Sequence, residues 1–236
     1  MWREYTCERF HFEDHAALVV LPKKSNALLV LKTEYWDAFP EAVELPLLER
    51  GYTLCFICND NRWGTEPDLS RKGRFVRYVA EHYGLDCRCI PVGMSCGGLI
   101  AVKFAAMFPE LVRVLFLDAP VINFMSCPCG FGIGKPLNED NSEILNALGL
   151  ESISQLLGYR DMPLDKIPVL VQNRIPVALV AGDSDSVVPY CENGILVEEA
   201  YRKTDIPFFL RVKPGCDHHP HGMEDPAQIM EFLTRF

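Results

Sequence analysis

The sequence predicts a layered α/β fold, a mostly parallel sheet of about eight strands flanked by helices with a cap inserted above it. Three observations point there. Several short apolar runs, Ala27 to Leu31 and Val177 to Ala181 among them, are continuous rather than alternating, which suits strands covered on both faces. These runs alternate with segments of helical periodicity, which implies right-handed crossovers. Finally, Gly93-Met94-Ser95-Cys96-Gly97 falls where a strand run gives way to a helical one.

Taken in order, Phe10 to Glu13 and Ala16 to Leu21 read as short strands, and the residues of Pro22-Lys23-Lys24-Ser25-Asn26 favour a turn. Ala27 to Leu31 is the next strand. Ala38 to Arg50 carries Phe39, Val43, Leu47 and Leu48 near helical spacing and stops at Gly51, which predicts a helix. Tyr52 to Cys58 is a strand. Pro67 to Tyr83 turns Leu69, Phe75, Val76, Val79 and Tyr83 toward one side and is followed by Gly84, so it is a helix. Cys89 to Val92 is a strand, Gly97 to Phe108 a helix stopped by Pro109, and Val112 to Leu117 and Val177 to Ala181 are strands. Gly194 to Tyr201 is helical, Phe208 to Val212 extended and Ala227 to Phe236 helical. Between these, Asn123 to Arg174 breaks the rhythm with Cys127-Pro128-Cys129-Gly130, two further glycines and short helical patches. Long irregular stretches inside compact domains are uncommon unless they carry function, so residues 123–174 are expected to form a cap or lid within one domain spanning 1–236.

Composition narrows the function classes. The 236 residues are 49% hydrophobic and 23% charged, enough for one sizeable core, and no Ser/Gly/Pro-rich linker divides them. No apolar run reaches the roughly 18 residues that a bilayer crossing needs. The net charge is −9 and the basic residues are scattered, which argues against nucleic acid or an anionic membrane as a partner. Met1-Trp2-Arg3-Glu4 opens with charge and no apolar stretch, so no signal peptide is expected and the ten cysteines are assigned to a reducing, cytoplasmic setting. Cys55-x-x-Cys58 lies within a strand run, and no second pair stands at zinc spacing; free thiols and no metal are expected.

The motif Gly93-x-Ser95-x-Gly97 suits a tight strand-to-helix turn that lifts a hydroxyl above the sheet, with small neighbours because the backbone is strained. A serine hydroxyl is a poor nucleophile until a base and an orienting acid assist it. Downstream, Gly182-Asp183-Ser184-Asp185 and Gly215-Cys216-Asp217-His218-His219-Pro220-His221 each follow a strand run, where catalytic groups gather in α/β sheets.

With these stretches the chain resembles the α/β-hydrolase family. The match lies in Val92-Gly93-Met94-Ser95-Cys96-Gly97-Gly98, in Gly182-Asp183-Ser184-Asp185-Ser186-Val187-Val188-Pro189 and in Gly215-Cys216-Asp217-His218. It also resembles a small, mostly bacterial group of hydrolases of poorly defined substrate at Glu34-Tyr35-Trp36-Asp37-Ala38-Phe39-Pro40, at Asp118-Ala119-Pro120-Val121 and in the His-His-Pro-His run. The resemblance implies Ser95 as nucleophile, His218 as base and Asp185 as acid. Asp183 and Asp118 are rivals for the acid, and His219 and His221 are rival metal ligands, although adjacent histidines are expected to diverge in a turn.

Acyl transfer needs donors for the developing oxyanion. One is the backbone of Cys96, the residue after the nucleophile. The other is assigned to the backbone of Glu34, in the loop after the Ala27 to Leu31 strand, where Lys32-Thr33-Glu34-Tyr35 replaces the His-Gly of many relatives. The Glu34 carboxylate is expected to bind Lys32 or a backbone group, or else a hydroxyl or amine of the substrate. Tyr35, Trp36 and Trp63 are candidate walls of the pocket. The expected activity is cleavage of a small-molecule carboxylic ester through an acyl-serine, with no cofactor. Two alternatives stand beside it: a peptidase or amidase of the prolyl-oligopeptidase type, and a catalytically silent binding protein on the same fold.

Overall fold

A computed structural model describes residues 1–138 and 141–236. Eight strands form one sheet: β1 (Thr6–Phe12), β2 (His15–Leu21), β3 (Leu29–Lys32), β4 (Thr53–Ile57), β5 (Cys89–Met94), β6 (Leu115–Asp118), β7 (Val177–Gly182) and β8 (Phe208–Lys213). Their order is β1-β2-β4-β3-β5-β6-β7-β8. β1 and β2 pair antiparallel, β2 meets β4 antiparallel, and every later pair is parallel. The expected mostly parallel sheet is therefore present. The β1–β2 hairpin turns on Glu13 and Asp14, both at positive φ (48° and 63°), as a two-residue turn matched to the strand twist requires.

The helices are α1 (Glu44–Glu49), α2 (Glu66–Tyr83), α3 (Cys96–Met107), α4 (Ser142–Leu148), α5 (Ile153–Gly158), α6 (Pro163–Gln172), α7 (Gly194–Tyr201) and α8 (Ala227–Leu233). Alternation along the strands divides the core between the two sheet faces. Leu29, Leu31, Cys55, Ile57, Leu115 and Leu117 pack with α2, α3, α6 and α7. Val30, Leu54, Phe56, Val92, Phe116 and Val180 pack with Leu47 and Leu48 of α1 and Ile229 and Leu233 of α8. Lys32 belongs to the second face, where its fully buried ammonium pairs with Glu44.

Two segments differ from expectation. The helix expected over Ala38 to Arg50 is reduced to the six residues of α1. Phe39 takes a positive φ of 51° immediately before Pro40, and a proline disfavours helical geometry in the residue before it. Pro46, two residues into α1, sits in the first turn, where its missing N–H leaves no bond unmade. Residues 123–174 connect β6 to β7 and carry α4, α5 and α6; residues 139 and 140 of that stretch lie outside the described residues. α6 packs against α3 and α7 and so serves as a flanking helix of the sheet. Among the described residues no helix is long and apolar enough to cross a membrane.

The strand order reverses between β3 and β5, and loops diverging from such a switch point leave a crevice at the carboxyl edge of the sheet.

Candidate active site

Ser95 sits between β5 and α3 at φ 52°, ψ −123°, a conformation that only a tightly packed turn sustains. Gly93 and Gly98 permit it. A Cβ on Gly93 would lie 2.3 Å from the Gly97 carbonyl oxygen, and one on Gly98 would lie 2.5 Å from Pro120 Cβ. Ser95 N–H donates to the Asp118 carbonyl at 3.0 Å, and the Ser95 carbonyl accepts from Val121 at 3.1 Å. The elbow is thus fastened to the end of β6.

Two loops, after β7 and after β8, bring side chains to it. His218 Nε2 lies 3.1 Å from Ser95 Oγ, and His218 Nδ1 lies 2.7 Å from Asp185 Oδ2. Asp185 Oδ1 accepts the backbone N–H groups of Val187 at 2.9 Å and Val188 at 2.7 Å, which fixes the carboxylate. Both His218 and Asp185 are buried, while Ser95 is half-buried and open to the crevice. The rival carboxylates are occupied elsewhere. Asp183 is exposed and accepts from the Ser184 hydroxyl and the Gly215 N–H, tying the loop after β7 to the loop after β8. Asp118 meets His221 Nδ1 at 3.0 Å and accepts the Gly222 N–H. Asp217 accepts from Ser186 and from the His218 N–H, and those backbone donors hold its carboxyl below the usual range.

The loop after β3 lies against the start of α3. Thr33 Oγ1 is 3.0 Å from the Val92 carbonyl oxygen and 2.7 Å from that of Gly97. The next residue, Glu34, presents a backbone N–H that has no hydrogen-bond partner among the described residues. Cys96 opens α3, so its N–H has no acceptor within the helix. The Glu34 carboxylate is engaged: Oε2 accepts from Asn59 Nδ2, and Oε1 is 3.2 Å from the Tyr35 N–H. It does not bind Lys32, whose partner is Glu44.

The three aromatic candidates part company. Tyr35, at φ 54°, faces the Cys96 thiol and the Arg62 guanidinium; burial pushes its hydroxyl pKa up, and burial raises that of Cys96 to about 11. Trp36 turns the opposite way, because the left-handed residue before it redirects the chain; its ring packs 4.9 Å from Trp2 and 5.8 Å from Phe56 in the second core. It is no wall of the crevice. Trp63 is fully buried, edge-on to Phe124 at 6.1 Å, so it supports the crevice from within the core.

Several groups escaped the sequence reading. Arg62 makes a two-pronged bond to Glu143 of α4 at 2.7 and 2.5 Å, and that pairing raises the Arg62 pKa and lowers that of Glu143. Buried Asn193 accepts at Oδ1 from the N–H groups of Ile122 and Asn123, both at 3.0 Å, and so anchors the start of the 123–174 stretch. His219 and His221, expected to diverge from His218, instead turn toward it; the three ring centroids lie 4.9 to 5.0 Å apart. The His-x-His spacing was a visible signal, but the Asp118 partner that aims His221 lies 103 residues away and was not.

Residues 74–236, which include all three members of the serine–histidine–aspartate chain, match the model of the prolyl oligopeptidase family. The chain belongs to that family. It has the α/β-hydrolase fold. Solved structures agree on the fold. A puromycin hydrolase superposes with a TM-score of 0.70 at 17% identity, over 98% of this chain and 38% of its own. The acylaminoacyl peptidase of Pyrococcus horikoshii gives 0.69 at 13% identity, over 92% of this chain and 37% of its own. An α/β hydrolase from a lagoon-sediment metagenome gives 0.58 at 16% identity and matches over 97% of this chain and 96% of its own. This member of the prolyl oligopeptidase family thus spans little more than a third of the two longer enzymes.

Proposed function

We propose that this prolyl-oligopeptidase-family hydrolase cleaves a small carboxylic ester through an acyl-serine intermediate. The observation that carries the ester reading is the engagement of Glu34. Its carboxylate, the candidate receiver of a substrate amine, is bonded to Asn59 and its own loop and is not offered to the crevice. In this scheme Ser95 Oγ attacks the ester carbonyl carbon as its proton passes to His218 Nε2. Asp185 holds the imidazole with Nδ1–H toward itself and balances the imidazolium charge. The N–H groups of Cys96 and Glu34 receive the oxyanion, each worth on the order of 3 kcal/mol in the transition state. The protonated His218 then delivers its proton to the leaving alkoxide, and water repeats the sequence to release the acid.

Residues 123–174 act as the cap in this proposal. Support comes from Arg62–Glu143, which joins the stretch to the loop before α2, and from Lys135 N–H, which donates to the Ser186 carbonyl beside Asp185 at 2.9 Å. Cys127 of the same stretch is buried near Cys96 and Asp185; burial foremost, with their charges, raises its thiol pKa. The ten cysteines are all free, two of them exposed, which fits a reducing compartment such as the cytoplasm.

A second reading, cleavage of an aminoacyl or acylaminoacyl amide, is favoured by the family match. Comparing kcat/KM for p-nitrophenyl acetate with that for aminoacyl p-nitroanilides separates the two. The ester reading expects turnover of the acetate and fails if only the anilides are cleaved. Ser95→Ala should lower turnover by about 10⁶-fold if the three groups act as a unit. Lack of labelling of Ser95 by a fluorophosphonate would overturn both readings in favour of a silent binding protein.

A further inference from the structure

His218, His219 and His221 each offer one ring nitrogen, and these atoms all lie within 4.8 Å of one another. The rings stand edge-on, at 69°, 77° and 87° to each other, so no two stack and their edges can converge on one point. From this geometry we infer that the three histidines form a site for a divalent transition metal of the zinc type, and that filling it silences the hydrolase. The silencing rests on the proposed role of His218; the binding does not.

The donor set suits the metal. Three neutral imidazoles with an open fourth position, taken by water, are an established tetrahedral zinc environment. Zinc–nitrogen bonds of about 2.0–2.1 Å put the nitrogens roughly 3.3 Å apart in that geometry. The cluster must therefore contract by up to about 1.5 Å. His219, exposed where the other two are buried, has the most room to move. The Phe39 ring stacks on His219 at 5.5 Å and meets His221 edge-on at 5.2 Å, which keeps both beside His218.

The surroundings are also those of a metal ligand. Ligating histidines commonly give their second ring nitrogen to a carboxylate, which orients the ring and raises its basicity. Here His218 does so with Asp185 at 2.7 Å and His221 with Asp118 at 3.0 Å. In both rings Nδ1 is used and Nε2 remains. Two carboxylates next to the cluster also offset the charge of a dication.

The conflict with catalysis follows from one lone pair. His218 Nε2 is 3.1 Å from Ser95 Oγ and is the atom that must take the serine proton. A metal bound there occupies the same lone pair. No bond in the protein is made or broken beyond this exchange, so removal of the metal restores the base.

The test uses the chelator-treated full chain with Zn²⁺, and with Co²⁺ as a spectroscopic reporter. One ion should bind per chain, esterase activity should fall with the same midpoint, and EDTA should restore it. Co²⁺ should give a tetrahedral visible spectrum without the ultraviolet charge-transfer band of a thiolate, which sets the site apart from the ten cysteines. His219→Ala should keep the basal activity and raise the midpoint by about 10-fold or more, since disturbing a site's ligand environment already costs that much. Ser95→Ala should bind the metal as the parent does. Absence of metal binding, binding with a thiolate signature, or inhibition unchanged in His219→Ala would each overturn the inference. Metal binding that depends on His219 in a protein without hydrolase activity would uphold the site and defeat the proposed function instead.

Discussion

Replacing Thr33 with valine probes the oxyanion loop without touching a reacting group. The side chains are nearly the same shape, so the change removes one hydroxyl. In the structure that hydroxyl bridges the Val92 and Gly97 carbonyls, at 3.0 and 2.7 Å, and holds the loop after β3 against the first turn of α3. Both carbonyls keep another donor. Val92 also accepts the Thr33 N–H at 3.1 Å, and Gly97 lies in α3, where the backbone supplies a partner. The stability loss should therefore be that of a neutral hydrogen bond, about 1 kcal/mol, and not the larger cost of a stranded polar group. For a domain of this size that lowers Tm by about 2–4 °C. The kinetic loss should be greater. Glu34 follows directly, and its N–H is one of the two proposed donors; a misplacement of about 1 Å costs on the order of 100-fold. Thr33→Val should lower kcat for p-nitrophenyl acetate by about 10–100-fold, with KM little changed, because the donor acts in the transition state. Thr33→Ser keeps the hydroxyl and should recover most of the rate. A Thr33→Val protein with lowered Tm and undiminished kcat would refute the assignment of the Glu34 N–H.

Three further outcomes are expected. Asp185→Asn should lower kcat/KM on the same ester by up to about 10⁴-fold with folding intact by circular dichroism, since the amide favours the wrong imidazole tautomer. Gly98→Ala should gain about 1 kcal/mol of helix propensity but lose more to overpacking, because its Cβ would stand 2.5 and 2.7 Å from Pro120 Cβ and Cα; urea unfolding should show a net loss of about 1–2 kcal/mol. Lys72 on α2 is fully buried, its Nζ donates to the Ile57 carbonyl at 2.9 Å, and burial lowers its pKa from 10.5 to about 8. Between those values the unfolded chain holds a proton that the folded chain has released, so stability should rise with pH through that window, by about 3 kcal/mol in all, and be lost again as pH falls toward 8. In Lys72→Met that rise should vanish, as urea unfolding at about pH 7 and about pH 10 would reveal.

What could be read in advance was local. Gly93-x-Ser95-x-Gly97 specifies its own turn, because the backbone cannot make it with larger neighbours, and the resemblance to the α/β-hydrolase family singled out Asp185 and His218, which the fold brings together. The continuous apolar strands announced a sheet covered on both sides, since each strand feeds two cores at once. What escaped depends on partners far apart in the chain. Glu34 could be weighed against Lys32, two residues away, but not against Asn59 on another strand's loop. Trp36 was grouped with Tyr35 because they are adjacent, yet one left-handed residue sends their rings to opposite sides. The helix expected from Ala38 was read from apolar spacing while Pro40 already opposed it.

The bond between Arg62 and Glu143 has a kinetic consequence. Its two ends are 34% and 40% exposed, and ion pairs so wetted are worth roughly 0–1 kcal/mol even when well aligned. At the upper figure about one molecule in six is unlatched at any instant, and screening by salt increases that share. In the proposed cap, where Lys135 and Asn193 supply further attachments, this contact is the one that ordinary thermal agitation undoes, so ionic strength is expected to tune admission to the crevice separately from the rate of bond cleavage inside it.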